Sequence, residues 1–206
     1  MAKKEWKPGN MLYPVPAVLV TSRSADGKDD VCTVAWAGTV CTNPPMVSIS
    51  LRKSRLTYDY VSETGVFVIN LTTEKLARAT DFCGVRSGRD LDKFAEMQLT
   101  KEEAAHISCP MLAESPVSIE CEVTEAKDLG SHTMFLAEVK AVHADEACLD
   151  EQERFDLMRA HPIVYSHGAY CSLGKQLGTF GWSVRKKKSS GKPRMNRKIK
   201  SVKKRK

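Results

Sequence analysis

The stretch VCTVAWAGTVCTNPP, Val31 to Pro45, is too apolar for a solvated surface. It is also too short for a membrane, which takes roughly 20 apolar residues to cross as a helix. It reads as a buried strand from Val31 to Val40, stopped by Asn43-Pro44-Pro45. A core strand ordinarily favours large branched side chains. This one is threaded with Thr33, Ala35, Ala37, Gly38 and Thr39. Small side chains leave the backbone open to close approach, so the pattern predicts that something flat lies against it.

Outward from that strand the order is β-rich. Ala17 to Ser22 reads as a strand held near an edge by Pro14 and Pro16, which cannot donate ladder hydrogen bonds. Ala25-Asp26-Gly27-Lys28 is turn chemistry. Met46 to Arg52 alternates Val47, Ile49 and Leu51 with Ser48, Ser50 and Arg52, the period of a half-buried strand. Ser54 is placed to cap a helix running to about Ser62, with Gly65 ending it. Val66 to Asn70 is a short buried strand. Glu74 to Phe82 reads as a second helix, and Asp90 as the cap of a third, LDKFAEM. Pro116 to Lys127 and Thr133 to His143 alternate, joined by Asp128-Leu129-Gly130-Ser131 as an antiparallel hairpin. Asp150 to Arg159 reads as a polar helix. Hairpin-type connections favour a barrel over a doubly wound sheet, with Met46 to Asn70 as a possible parallel crossover in a mixed sheet.

The net charge of +7 misleads. Residues 185–206 hold 13 of the 32 Lys and Arg and no acid, so the rest carries 19 basic against 25 acidic residues, a net −6. Residues 1–184 are therefore expected to form the folded domain and 185–206 a basic, disordered tail. Such a tail attracts phosphate backbones without reading sequence, which makes nucleic acid a candidate partner; docking of an acidic redox protein is the competing use. The start, MAKKEWKPGN, lacks the apolar centre of a secretion signal, and a cytoplasmic location is expected. Seven scattered cysteines without a C-x-x-C pair argue against a disulfide framework and a zinc site. The five histidines show no metal spacing. Neither G-x-G-x-x-G nor G-x-x-x-x-G-K-[ST] is present, and neither is H-E-x-x-H or G-x-S-x-G.

One segment looks built for an anion. SLRKSRLTY, Ser50 to Tyr58, sets Arg52, Lys53 and Arg55 with Ser54 and Thr57 where a strand turns into a helix. Free N–H groups at the helix start, charged arginines and hydroxyls suit one phosphate; the plainer reading is a solvated basic turn. DFCGVRSGRDLDKF, Asp81 to Phe94, offers Gly84 and Gly88 for close backbone approach, with Arg86, Ser87, Arg89 and Lys93 as donors, or else a surface loop. No second pyrophosphate cradle is in sight, so these segments suit a ligand with one phosphate better than a dinucleotide.

In order along the chain stand x-T-x-A-W ending at N-P-P, I-S-L-R, S-R-x-T-Y, G-x-F-V-I-N-L, D-F-C-G-x-x-S-G-R-D-x-D-K-F, PVSIEC, the His132 hairpin and AYCSLG. This ordered set resembles the flavin reductase-like FMN-binding proteins of the flavoredoxin type, over residues 11–184. The resemblance implies a six-stranded antiparallel split β-barrel with peripheral helices, a homodimer with flavin sites at the subunit interface, and FMN as cofactor. It places the isoalloxazine ring against Thr33, Ala35, Trp36 and Ala37. It places the phosphate on Arg52, Ser54, Arg55 and Thr57, with Ser50 leading into that corner. Asn70, Cys83, Gly84, Ser87 and Lys93 fall near the ring or ribityl chain. No catalytic side chain or metal is expected, because hydride passes directly to the flavin. An NAD(P)H-dependent flavin reductase and an electron carrier serving a redox protein are both compatible with these residues.

Overall fold

Alternation and turn residues build most of the strands where the sequence places them. In a computed structural model, residues 1–185 are described. The strands are β1 (Val15–Pro16), β2 (Val18–Arg23), β3 (Asp29–Val34), β4 (Ala37–Cys41), β5 (Met46–Leu51), β6 (Val66–Leu71), β7 (Lys101–Glu103), β8 (Pro110–Leu112), β9 (Val117–Asp128), β10 (Thr133–Ala144), β11 (Ile163–Ser166) and β12 (Ala169–Ser172). The helices are α1 (Leu56–Thr64), α2 (Ala77–Val85) and α3 (Lys93–Met97). The β2–β3 turn forms as its residues dictate, with Gly27 at φ 84° and its N–H donating to the Ser24 carbonyl.

The principal sheet has the order β3-β2-β6-β9-β10-β5-β4, and every pairing in it is antiparallel. Its two end strands, β3 and β4, are consecutive in the chain, separated by Ala35 and Trp36 alone. At that bend the Trp36 carbonyl accepts from the Ser50 N–H at 2.8 Å, so the run leaves β2 and joins β5. The seven segments are thus six passes of chain, and the small-residue strand closes the barrel. Inside lie Val20, Val34, Ile49, Leu51, Phe67 and Phe135. Burying each such side chain contributes about 1.5–3 kcal/mol. Leu19 and Val31 point the other way, under Leu76, Ala79, Cys83 and Phe94 of the helical layer. The body of β2 is therefore buried on both faces, which explains why Val18, Leu19 and Val20 do not alternate with polar residues.

Several expectations are corrected. Val31 to Val40 is not one buried strand: beyond the bend, Gly38, Thr39 and Val40 are exposed, because β4 ends the sheet and no layer covers it. The strand after Pro16 is not at an edge. The prolines precede β2, whose N–H groups are free to bond both β3 and β6. Pro16 itself lies in β1, which pairs with β11 in a separate small sheet. Met46 to Asn70 is no parallel crossover, since β10 and β9 stand between β5 and β6. Arg55, not Ser54, occupies the N-cap of α1, while Gly65 ends it in the left-handed region as expected. α2 starts at Ala77, three residues later than expected. Asp92 rather than Asp90 caps α3, accepting from Phe94 and Ala95 N–H at 2.9 and 3.2 Å. Asp150 to Arg159 is not an α-helix. The Asp150 carboxylate captures the N–H groups of Gln152 and Arg154, competing with helical bonds, and only Leu157–Ala160 makes a 3₁₀ turn.

The chain divides into two units, Met1–Leu173 and Gly174–Lys206. In the second, the described residues make a short 3₁₀ turn at Trp182–Val184. Residues 186–206, the body of the expected basic tail, lie outside the described residues. Among the described residues no helix is long and apolar enough to cross a membrane, and no cluster of ligating side chains could hold a metal ion.

Candidate functional site

The bend between β3 and β4 makes one wall of a groove. The ends of β5 and β10 and the start of α1 make the others. A cavity of about 120 Å³ is bounded by the run Cys32–Trp36, by Ser50 to Arg52 and Arg55, and by His132. A second, of about 450 Å³, shares Trp36, Ser50 and His132 with it and is bounded on its far side by Gly9–Leu12 and Leu129. Of the residues expected at a flavin, the structure brings Thr33, Ala35, Trp36, Ser50, Arg52 and Arg55 to this groove. Ala37 follows the bend on β4, and Ser54 lies exposed just before α1.

The corner at α1 carries uncommitted donors. Arg52 is exposed, and its guanidinium makes no hydrogen bond or ion pair among the described residues; neither does the Ser54 hydroxyl bond. The Leu56 and Thr57 N–H groups at the start of α1 have no helical acceptor, while the Tyr58 N–H donates to the Arg55 carbonyl at 3.1 Å, and the helix dipole favours an anion there. Arg55 is half committed, donating to the Gly84 carbonyl and so tying the start of α1 to the end of α2. Thr33 presents backbone rather than hydroxyl, because its hydroxyl donates to the Thr80 carbonyl of α2.

Other expected residues are placed in the scaffold. The Thr57 hydroxyl is wholly buried and donates to Asp30 at 2.5 Å, so it is not offered to the groove. Lys93 is 3% exposed and ion-paired with the same Asp30 at 2.9 Å. Asn70 uses both amide hydrogens on the Leu19 carbonyl and Thr21 hydroxyl, and its oxygen accepts from Leu112 N–H and the Ser118 hydroxyl. That saturates its capacity for ligands. Cys83 is fully buried, and burial pushes its thiol up to about 12. Gly84 lets α2 approach β3, since a Cβ there would sit 3.2 Å from the Thr33 Cβ. Ser87 is half-buried, with its hydroxyl accepting from the Arg89 N–H at 3.2 Å.

Two features of the groove escape a reading of the sequence. His132, one of the five histidines without metal spacing, lines both cavities. Burial, and then the Arg52 charge, hold its imidazole below the ordinary histidine value. Its placement follows from the β9–β10 hairpin, whose legible turn at Gly130 was the available signal. The second feature is an aromatic cluster beside Trp36, which lines both cavities. Tyr13 lies 6.3 Å from Trp36, 6.0 Å from Tyr165 and 5.4 Å from His167 between ring centroids. These side chains meet because β1 pairs with β11, a long-range pairing without a local signature.

Comparison with known proteins places this geometry. Residues 10–174 match the model of the flavin reductase like domain. The solved flavoredoxin of Desulfovibrio vulgaris (Miyazaki F) superposes with a TM-score of 0.83 at 30% identity, covering 89% of this chain and 100% of that one. An NADH-dependent FMN reductase of Streptomyces nodosus subsp. asukaensis is 26% identical over 174 residues, 83% of this chain and 85% of that protein. A protein of Aeropyrum pernix is 34% identical over 134 residues, 65% of this chain; the match spans about half, 51%, of that relative's length.

Proposed function

Because the chain belongs to the family of flavin reductase like domains, we propose that it holds FMN in the groove and works as an NAD(P)H-dependent flavin reductase in the cytoplasm. The observation that carries this reading is one groove with a small-residue floor at Thr33–Trp36 and, at its end, a cationic corner with unsatisfied donors. The residues present fit the cofactor. A floor of small side chains admits a flat ring, and a single anion corner suits one phosphate better than the pyrophosphate of FAD.

Arg52, Ser54 and the first N–H groups of α1 would hold the phosphate, with Arg55 dividing its bonds between phosphate and the Gly84 carbonyl. Backbone groups of Thr33 to Ala37 would face the ring edge, and Trp36 would pack beside it. Bound FMN would supply the redox chemistry, accepting hydride and releasing electrons singly or in pairs. The chain needs to orient, to exclude water and to bias charge, and no acid–base triad is required. Homodimerisation belongs to the same reading. Val40 on the uncovered β4, together with Trp6, Met11 and Leu12 of the N-terminal arm, exposes apolar surface that a second copy would bury.

A second reading, an electron carrier for a protein partner, is favoured by the full-length similarity to a flavoredoxin. Anaerobic mixing of the FMN-loaded chain with NADH or NADPH separates the two. Rapid bleaching of the flavin absorption is expected of a reductase, and none is expected of a carrier. A chain that stays colourless and does not quench FMN fluorescence ends both. Sedimentation should give a dimer, and a stable monomer would overturn that part.

A further inference from the structure

His132 stands where an anion in the α1 corner would meet it. It immediately precedes β10, at the end of a turn held by the Gly130 N–H on the Asp128 carboxylate at 2.8 Å and by the Leu129 N–H on the His132 carbonyl at 2.8 Å. The imidazole lines the same small cavity as Arg52 and Arg55. Its Nδ1 lies 2.9 Å from the Ser131 hydroxyl, and its other ring nitrogen has no partner among the described residues. Among the described residues no carboxylate bonds the ring, and the nearby Asp128 is engaged by Lys53 and by the Gly130 N–H. The remaining charged groups facing it are Arg52 and Arg55, while the arm Gly9–Leu12 contributes no titratable side chain.

Resting on the FMN reading above, we propose that His132 is a proton-linked ligand of the phosphate: it takes up a proton as the phosphate enters the corner and holds the anion together with Arg52. Without a ligand, burial and then the Arg52 charge favour the neutral ring. A phosphate dianion reverses the sign of the local field and favours the imidazolium. A group whose value rises on binding takes up a proton. FMN affinity is therefore greatest at low pH and falls as pH rises through the value of His132 in the complex, by up to tenfold per pH unit for one proton. Riboflavin, which has no phosphate, escapes this dependence.

The test measures FMN and riboflavin affinities of the full chain between about pH 6.5 and 8.5, above the phosphate's own second ionisation near 6. In the unsubstituted protein FMN affinity should fall about tenfold or more across that window, while riboflavin affinity stays flat. His132→Gln should flatten the FMN profile. An unchanged FMN slope in the variant, or an equal slope for riboflavin, overturns the proposal. Should that variant not fold, NMR titration of the imidazole resonances needs no substitution. One of the five histidines must titrate higher with FMN bound than with riboflavin bound, and if none does the proposal fails. If neither flavin binds, the FMN reading itself has failed, an outcome distinct from a flat FMN profile.

Discussion

Two polar clusters share the first turn of α1, and they are built from similar residues. Ahead of it, Arg52 and Ser54 stand exposed with no partner among the described residues. Behind it, Asp30 gathers the Thr57 hydroxyl at 2.5 Å and the Lys93 ammonium at 2.9 Å, all three buried. The first cluster offers exposed donors, whereas in the second the Thr57 hydroxyl and the Lys93–Asp30 pair are buried away from solvent. A basic or hydroxylic side chain near a groove is a ligand candidate only while its hydrogen bonds are unspent. By that measure Thr57 and Asn70 belong to the scaffold, Lys93 is held in its buried pair with Asp30, and Arg52, Ser54 and His132 are candidates for the site.

The sharpest way to break this comparison is to remove the buried cation. Lys93→Met leaves Asp30 uncompensated and should destabilise the fold by about 3–5 kcal/mol in a urea melt. Adding Asp30→Asn should recover much of that loss. If Lys93→Met costs under ~1 kcal/mol, the pair is not buried in the way described. Gly88→Ala attacks the same cluster from the loop, since its Cβ would fall 2.1 Å from Asp30 Oδ1. Overpacking there should cost about 1–3 kcal/mol by the same measurement.

The exposed cluster should respond in the opposite sense. Arg52→Ala should leave stability within about 0.5 kcal/mol. It removes a charge-assisted bond of about 1.5–3 kcal/mol, so FMN affinity should drop about 10- to 100-fold while riboflavin affinity barely changes. Arg55→Ala sharpens the comparison, because its bond to Gly84 puts it in both clusters and both stability and FMN affinity should fall. Trp36→Ala should weaken both flavins alike. Equal losses for FMN and riboflavin in Arg52→Ala would place the phosphate elsewhere. The smallest effect is expected at Thr133, whose buried hydroxyl has no partner among the described residues. Thr133→Val relieves that group and should stabilise the protein by up to ~1 kcal/mol in the urea melt without moving flavin affinity.

What was legible in the sequence was short-range. The β9–β10 hairpin, the Gly27 turn and the Gly65 stop follow from local alternation and from the φ values that glycine tolerates. Helix starts were read less well. At Ser54 and Asp90 a capping residue type was present, but the structure caps at Arg55 and Asp92, because several plausible caps lay within one turn of each other. The polar Asp150 to Arg159 stretch misled for a related reason, as Asp150 bonds the backbone locally instead of leaving it to a helix.

The sequence by itself determined the residue types of the site: small side chains at Thr33–Gly38 and a cationic, hydroxylic corner at Ser50–Thr57, in an order that marks the family. Only the tertiary structure decided that the bend at Ala35-Trp36 closes the barrel, that His132 reaches the groove, that Tyr13 packs near Trp36, and which polar groups are already bonded. The physical reason is the range of the interactions. Side-chain size and turn preference belong to a residue and its neighbours. Whether a hydroxyl or ammonium is free depends on partners such as Asp30, brought from far along the chain.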